Sequence, residues 1–481
     1  MGDRNFQYIH LFRTLNHHYC YVAHTNALIE LDIETWGLLR RNQINEEHGA
    51  FLENESVSVL RTVLSEAGTV SLDTPKLIHS PWTQEEIVSQ LEKNLSQLTL
   101  VVTEFCNLQC DYCLYGDLYP AFRNNSSRRM SRNVAKSAID FFFKRCKKDI
   151  VTVGFYGGEP LTNFKLIEYC LRYISQIRSP NLVQYSMTTN GTLLTPDKVR
   201  VLHDYDVSLL VSLDGPKNIH DRHRVAKKKE GTFSKILENI TWIKENYPDY
   251  YCTKIGFNVV RAPDTDIREV YAFFRNHPSL FINNSITSSN IISYPETIFD
   301  HFVESNSHQG IKNLRKQFIE SGKKMHLEQD TFLRAIFERP LIQIHKRQHW
   351  EGFSNCYPPN GICLPGTRKL LVNIDGGVQM CERVSTTDTI GNIYDGFNYK
   401  KIYSLIDEYI QLGEKACINC WAIRLCSMCF SDVYDGVLSS TRKKWACNRM
   451  KNMLSENLRL YCEVLEKNPN AYDYMKNIFL S

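Results

Sequence analysis

The sequence predicts an α/β fold with a parallel sheet curled into a partial (β/α) barrel, and three observations carry that reading. Strand-like runs recur at α/β spacing over 151–155, 185–189, 208–213 and 255–260. Each leads into polar or turn-forming residues: Tyr156-Gly157-Gly158-Glu159-Pro160, Asn190-Gly191, Asp214-Gly215-Pro216 and Arg261-Ala262-Pro263. Between them lie stretches of helical period, such as Ile167, Cys170, Leu171 and Ile174. Strands that alternate with helices stack in parallel, and polar residues at the strands' carboxyl ends put the site on that edge.

Length and composition bound the rest. A chain of 481 residues exceeds one hydrophobic core and predicts two or three domains. No amino-terminal run has the features of a secretory signal, and no segment holds eighteen uninterrupted apolar residues, so a cytoplasmic protein without a membrane partner is expected. In a reducing compartment sixteen cysteines argue for metal ligation over disulfides. The net charge of +4 gives no reason to expect a nucleic-acid partner, and the basic runs Lys227-Lys228-Lys229 and Arg442-Lys443-Lys444 read as solvated faces.

The segment Glu104-Phe105-Cys106-Asn107-Leu108-Gln109-Cys110-Asp111-Tyr112-Cys113 sets three thiolates on one short loop. A four-iron four-sulfur cluster normally takes four thiolates, so a loop offering three leaves one iron open to a substrate or cofactor. A zinc knuckle is the competing reading of the spacing. The loop resembles that of the radical S-adenosylmethionine (SAM) enzymes, and Gly157-Gly158-Glu159-Pro160 resembles the GGEP motif of the same family. The resemblance implies a (β/α)6 radical SAM barrel in which Cys106, Cys110 and Cys113 bind a [4Fe-4S] cluster. It implies further that Gly157, Gly158 and Glu159 hold the amino end of SAM and that Tyr112 packs on the adenine. Asn190 and Ser212 then sit at the ribose, and Arg224 near the carboxylate or ribose.

A second cysteine constellation lies in the carboxyl-terminal half. Cys363 is followed by twelve residues, Gly376, four residues and Cys381; then come Cys417-x2-Cys420-x5-Cys426-x2-Cys429 and, after a gap, Cys447. Spacing alone also admits a zinc site over 417–429. The pattern resembles the SPASM domain, although only Ser427 and Met428 separate Cys426 from Cys429 where three residues are usual. The resemblance assigns Cys356, Cys363, Cys381 and Cys429 to a first auxiliary cluster and Cys417, Cys420, Cys426 and Cys447 to a second. Three [4Fe-4S] clusters are thus expected, with Cys20, Cys146, Cys170, Cys252 and Cys462 left as buried thiols.

The first ninety residues belong to neither module. Runs over 6–12, 18–23 and 27–31 read as short strands with Asn26 as a turn, and 35–40 and 57–67 read as helical. Three strands followed by helices resemble the winged-helix-like recognition domain of enzymes that mature ribosomally made peptides, where a leader peptide adds a strand to the sheet edge. The segment 73–86, with Pro75 and Pro81, reads as the linker. The expected domains are therefore a leader-binding unit over 1–90, a radical SAM core over 98–330, a SPASM unit over 350–455 and a helical tail over 456–481.

Together these resemblances imply a maturase that joins a cysteine sulfur to a carbon of another residue, forming thioethers of the sactipeptide or ranthipeptide type. Its partners would be a precursor peptide with its leader and a reductant such as flavodoxin or ferredoxin. The alternatives are an anaerobic sulfatase-maturating enzyme, a carbon-carbon cross-linking or epimerising peptide maturase, and a non-catalytic iron-sulfur electron carrier.

Overall fold

A computed structural model of the chain describes residues 4–47, 54–70, 73–116, 119, 125–177, 182–281, 284–291, 307–323, 330–384, 388–434 and 436–478. At the amino end β1 (Ile9–Arg13), β2 (His18–Val22) and β3 (Ala27–Leu31) form an antiparallel sheet in that order. Asn26 makes the β2–β3 turn at φ +61, held by a hydrogen bond of 2.6 Å from the Tyr21 hydroxyl to its side-chain oxygen. Helices α1 (Ile33–Glu47) and α2 (Asn54–Glu66) follow. The strand expected over 6–12 begins instead as a 3-10 turn, Arg4–Tyr8.

Side chains alternate across a strand, and here the alternation serves two cores. Ile9, Leu11, Cys20 and Val22 pack with Leu39, Leu60, Val63 and Leu64 of the two helices. Tyr8, Phe12, Tyr19 and Tyr21 enter the main core of the protein.

The expected linker is structured. Within it β4 (Leu77–Ile78) pairs in parallel with β11 (Cys356–Tyr357), and α3 (Gln84–Lys93) starts at Thr83 with a capping box closed by Glu86. Ile87 and Leu91 of α3 are buried in the main core, so a boundary at residue 90 cuts through a packed helix.

Six parallel strands follow in spatial order: β5 (Gln97–Thr103), β6 (Ile150–Gly157), β7 (Leu182–Thr189), β8 (Ser208–Ser212), β9 (Ile255–Arg261) and β10 (Ile286–Asn290). Their connections carry α4 (Arg132–Phe143), α5 (Phe164–Gln176), α6 (Pro196–Asp204), α7 (Lys217–His223), α8 (Phe233–Asn246), α9 (Pro248–Lys254), α10 (Ile267–Asn276) and α11 (Pro278–Phe281). This is the α/β architecture read from the sequence, with β5 and β10 added. The sheet also continues past β5: β12 (Leu370–Val372) pairs with it in parallel, then β13 (Gly377–Gln379), β14 (Gly391–Asn392) and β15 (Gly396–Phe397) pair antiparallel. The carboxyl-terminal half is thus hydrogen-bonded to the central sheet.

Helices α12 (Ser307–Lys323), α13 (Thr331–His345), α14 (Tyr399–Cys417) and α15 (Ser440–Lys467) complete the structure. The last runs unbroken through the expected boundary at 455/456, so its carboxyl-terminal half is no separate tail. Arg315 of α12 reaches Glu456 at 2.7 Å and Glu463 at 2.9 Å across α15. Among the described residues no helix is long and apolar enough to cross a membrane.

Candidate functional site

The cysteine loop leaves the carboxyl end of β5 and lies against the end of β6. Gly158 donates its N–H to Thr103 at 2.9 Å, and Glu159 donates its N–H to Phe105 at 2.8 Å. A Cβ on Gly157 would stand 2.1 Å from the Thr103 carbonyl oxygen, and one on Gly158 would stand 2.3 Å from that of Phe105. Gly157 also adopts φ +147, where only glycine rests without strain. Both glycines therefore serve a close approach of the chain to its own cysteine loop.

Glu159 is 1% exposed. Its Oε1 accepts from Leu161 N–H at 3.0 Å and from the Thr189 hydroxyl at 2.8 Å, while Oε2 accepts from Asn190 N–H at 2.7 Å. Burial pushes its pKa up against these donors. The carboxylate thus ties the ends of β6 and β7 together, with lone-pair capacity left on Oε2.

Asn190 continues that tie to the cysteine loop. Its Nδ2 donates to Asn107 Oδ1 at 3.0 Å and lies 3.9 Å from Cys106 Sγ, while its Oδ1 accepts from the Thr192 hydroxyl at 2.7 Å. Ser212, at the end of β8, is buried.

Tyr112 and Arg224 meet at Asp214. The carboxylate is 1% exposed; its Oδ2 accepts from Arg224 Nε at 2.8 Å and from the Tyr112 hydroxyl, and its Oδ1 accepts from Val260 N–H at 3.0 Å. The Arg224 guanidinium carbon stands 5.3 Å from the Tyr112 ring centroid. Beside them His223 bridges Asp111 Oδ2 at 2.8 Å and Asp264 Oδ1 at 3.1 Å. Sequence reasoning passed over Asp214, Asp111, Asp264 and His223. In the sequence Asp214 reads only as part of a turn, and no local signal pairs it with a tyrosine a hundred residues away.

The thiols fall into three groups. Burial pushes Cys106 up to about 11 and Cys110 up to about 12, and the neighbouring Cys113 thiolate adds to both shifts. Burial also holds Cys363 near 11 and Cys381 near 12, each pushed further by Cys429. In the third group burial lifts Cys426 to about 12 and raises Cys420 and Cys447; Cys417 adds to all three shifts. Burial does the same to Cys20, Cys170 and Cys462; what sets these groups apart is that their members act on one another, as the donors of a shared metal centre must. Cys356 lies exposed on β11.

Among the described residues no three His, Cys, Asp or Glu side chains converge on a single-ion site. Tetrahedral zinc, with Zn–S bonds of about 2.3 Å, needs sulfurs about 3.8 Å apart. In a four-iron cluster the thiolates sit on separate irons, so a cluster does not require that spacing.

Two expectations are corrected here. Lys443 and Arg442 are buried, at 2% and 6% exposure, not solvated. The Lys443 ammonium lies 3.2 Å from the Tyr409 hydroxyl, beside Cys417, Cys420, Cys426 and Cys447. Its place on α15 explains this, because one residue in three or four of an amphipathic helix faces inward. Cys252, expected to be buried, is exposed at the end of the short α9. Cys20, Cys146, Cys170 and Cys462 are buried.

Residues 100–274 match the Radical SAM superfamily. The core is a radical SAM fold, the scaffold of an enzyme. The chain is 30% identical over 193 residues to the cysteine-type anaerobic sulfatase-maturating enzyme of Clostridium novyi (strain NT), covering 40% of this chain and 50% of that one. It is 26% identical over 248 residues to the radical SAM cyclopropyl synthase TigE of Paramaledivibacter caminithermalis, covering 49% of each. It thus spans about half the length of these two curated relatives. Among solved structures, anSMEcpe with bound AdoMet superposes at a TM-score of 0.58 with 22% identity, over 80% of this chain and 96% of that one. That likeness shows a shared fold over most of the chain.

Proposed function

We propose that the protein is a radical SAM maturase that oxidatively modifies a ribosomally made peptide, with a cysteine-to-carbon thioether as the product. The grouping of ten cysteines into three sets on one scaffold carries this reading, since a single-site radical enzyme needs only the first set. When bound, the first cluster and SAM would supply a 5′-deoxyadenosyl radical able to take hydrogen from an unactivated carbon. The chain's own residues bind and orient. Cys106, Cys110 and Cys113 hold the first cluster, Asn190 turns its amide towards Cys106, and Asp214 fixes the tyrosine between two of the cysteines. The spare capacity of Glu159 Oε2 suits the SAM ammonium, and the buried Ser212 suits its ribose.

A cavity of about 520 Å³ on the inner face of the sheet is lined by Thr99, Gly154, Ser186, Thr188, Ser208 and Gly256. The cavity has room for a short peptide segment; its lining reaches the amino ends of the strands at Gln97, Ser208 and Ile255 and includes none of the residues gathered at their carboxyl ends. In the front domain β3 is an edge strand, paired only with β2 among the described residues, and so accepts a leader by strand addition. The auxiliary sets give the second electron of the oxidation a place to go, and a flavodoxin or ferredoxin would reduce the first cluster.

Sulfatase maturation is the second reading. It is favoured by the relative in Clostridium novyi and by the fold shared with anSMEcpe. Coexpression with short cysteine-containing peptides encoded beside the gene, followed by mass spectrometry, decides between the two. A thioether removes two hydrogens per bridge, whereas oxidising a cysteine to an aldehyde also exchanges sulfur for oxygen. Unmodified peptide in every case, with SAM cleavage intact, would refute peptide maturation.

A further inference from the structure

Of the cysteine group Cys417, Cys420, Cys426 and Cys447, the last reaches a groove of about 770 Å³ between α14 and the start of α15. Four lysines line it, Lys415, Lys443, Lys444 and Lys451, against one carboxylate, Glu408, and Cys447 forms part of its wall. Lys415 and Lys444 are exposed. Among the described residues Lys415, Lys444 and Lys451 make no ion pair; Lys415 and Lys444 present their charge to solvent, while the half-buried Lys451 acts on Cys420 and Cys447. Lys443 adds a buried charge, its ammonium 4.7 Å from the centroid of the Tyr409 ring.

We propose that this groove is the docking surface for a small acidic one-electron carrier protein, which exchanges an electron with the auxiliary cluster held by Cys417, Cys420, Cys426 and Cys447. The inference rests on the cluster reading above and adds the place and chemistry of the partner. Unneutralised positive charge raises the encounter rate with an acidic protein. A cysteine in the groove wall puts the redox group within reach of whatever docks. The peptide-sized cavity opens elsewhere, on the inner face of the central sheet, so the groove is not needed for substrate. In the exchange one electron leaves the reduced cluster and reduces the oxidised carrier; no bond forms or breaks and no proton moves.

The test uses anaerobic holoenzyme with its clusters reduced and the excess reductant removed. Oxidised acidic [2Fe-2S] ferredoxin is the probe, and an uncharged quinone is the control oxidant. The double variant Lys415→Glu/Lys444→Glu changes two exposed side chains, and iron content and circular dichroism check that it is folded and loaded. Stopped-flow oxidation by ferredoxin should slow by roughly tenfold or more at low ionic strength, with the gap closing as salt rises. The quinone rate should stay as in the wild type. Independently, carbodiimide treatment should cross-link ferredoxin carboxylates to Lys415 or Lys444 of the wild-type holoenzyme. Equal ferredoxin rates in a fully loaded variant overturn the proposal, as does a variant that loses peptide binding while keeping the ferredoxin rate. Wild-type protein lacking the four irons of this cluster overturns the cluster reading and the docking with it.

Discussion

Replacing Asp214 by Asn should loosen the cysteine loop. The carboxylate is 1% exposed and faces the Arg224 guanidinium, itself 9% exposed, at 2.8 Å. Removing one partner of a buried ion pair strands the other, at about 3–5 kcal/mol. The weakened partner of the Tyr112 hydroxyl adds about 1 kcal/mol. Tyr112 lies between Cys110 and Cys113, so the cost falls on the loop that anchors the first cluster. A local loss of about 4 kcal/mol raises the open population roughly a thousandfold. Hydrogen exchange of the Cys113 and Gly116 amides, which bond to Cys110 and Cys113 carbonyls at 3.2 Å and 2.9 Å, reads it directly. Iron retained after desalting reads the consequence. Because the penalty is a stranded charge, Asp214→Leu/Arg224→Met should be less damaged than Asp214→Asn alone. Wild-type exchange in Asp214→Asn, or a double variant worse than the single one, would refute this account.

Gly158→Ala should abolish iron retention at the first cluster while sparing the others, since its Cβ would meet backbone of Phe105 and Cys106 at 2.3–2.8 Å, which cannot rotate away; iron per chain and SAM cleavage measure it. Burial works to lower the His223 pKa, but Asp111 and Asp264 outweigh it and hold it above the ordinary 6.5. The stability this imidazolium contributes is therefore full below about pH 6.5 and lost as pH rises through its raised pKa. Melting temperature against pH should consequently flatten above pH 6.5 in His223→Gln relative to wild type. Cys447→Ala should remove about four irons and product formation, yet leave SAM cleavage by chemically reduced enzyme. Undiminished iron in that variant counts against the second auxiliary cluster.

The strands β6 to β9 were legible because each is rich in β-branched, aromatic or other large apolar residues and runs into a turn signal. The edge strand β10 was not. Its sequence Ile286-Thr287-Ser288-Ser289-Asn290 has one large apolar residue, and pairing with β9 on one side places it. Tertiary hydrogen bonding there overrides local propensity. The same holds for β4 and β11, two residues each, which exist only through one another. At the site the cysteines were legible from spacing, whereas their orienting partners were not. The Asp214 contacts join residues 102 and 10 positions away, and the His223 bridge spans 112 and 41 positions. The buried Lys443 was missed for a different reason: a run of three basic residues looks uniform, but helical geometry gives each a different face.

The front domain and the auxiliary cysteines are mechanically one unit. His10 of β1 stacks on Trp421 with centroids 4.0 Å apart and bonds Ser455 of α15 at 2.9 Å. Arg424 donates to the carbonyls of Ala23, His24 and Gly352, and the Tyr8 hydroxyl donates to the Ile418 carbonyl. Trp421 and Arg424 lie inside the Cys420-x5-Cys426 turn, so the sheet proposed to bind the leader also clamps the turn proposed to hold the second auxiliary cluster. Deleting residues 1–90 would therefore do more than remove a recognition module. It would uncover Trp421 and remove most of α3, including Ile87, whose side chain is buried in the main core. Loss of turnover in such a truncation would not separate leader binding from damage to the cysteine turn. A substitution on the β3 edge does separate them, because β3 lies on the far side of β2 from β1 and a change there leaves the His10–Trp421 contact in place.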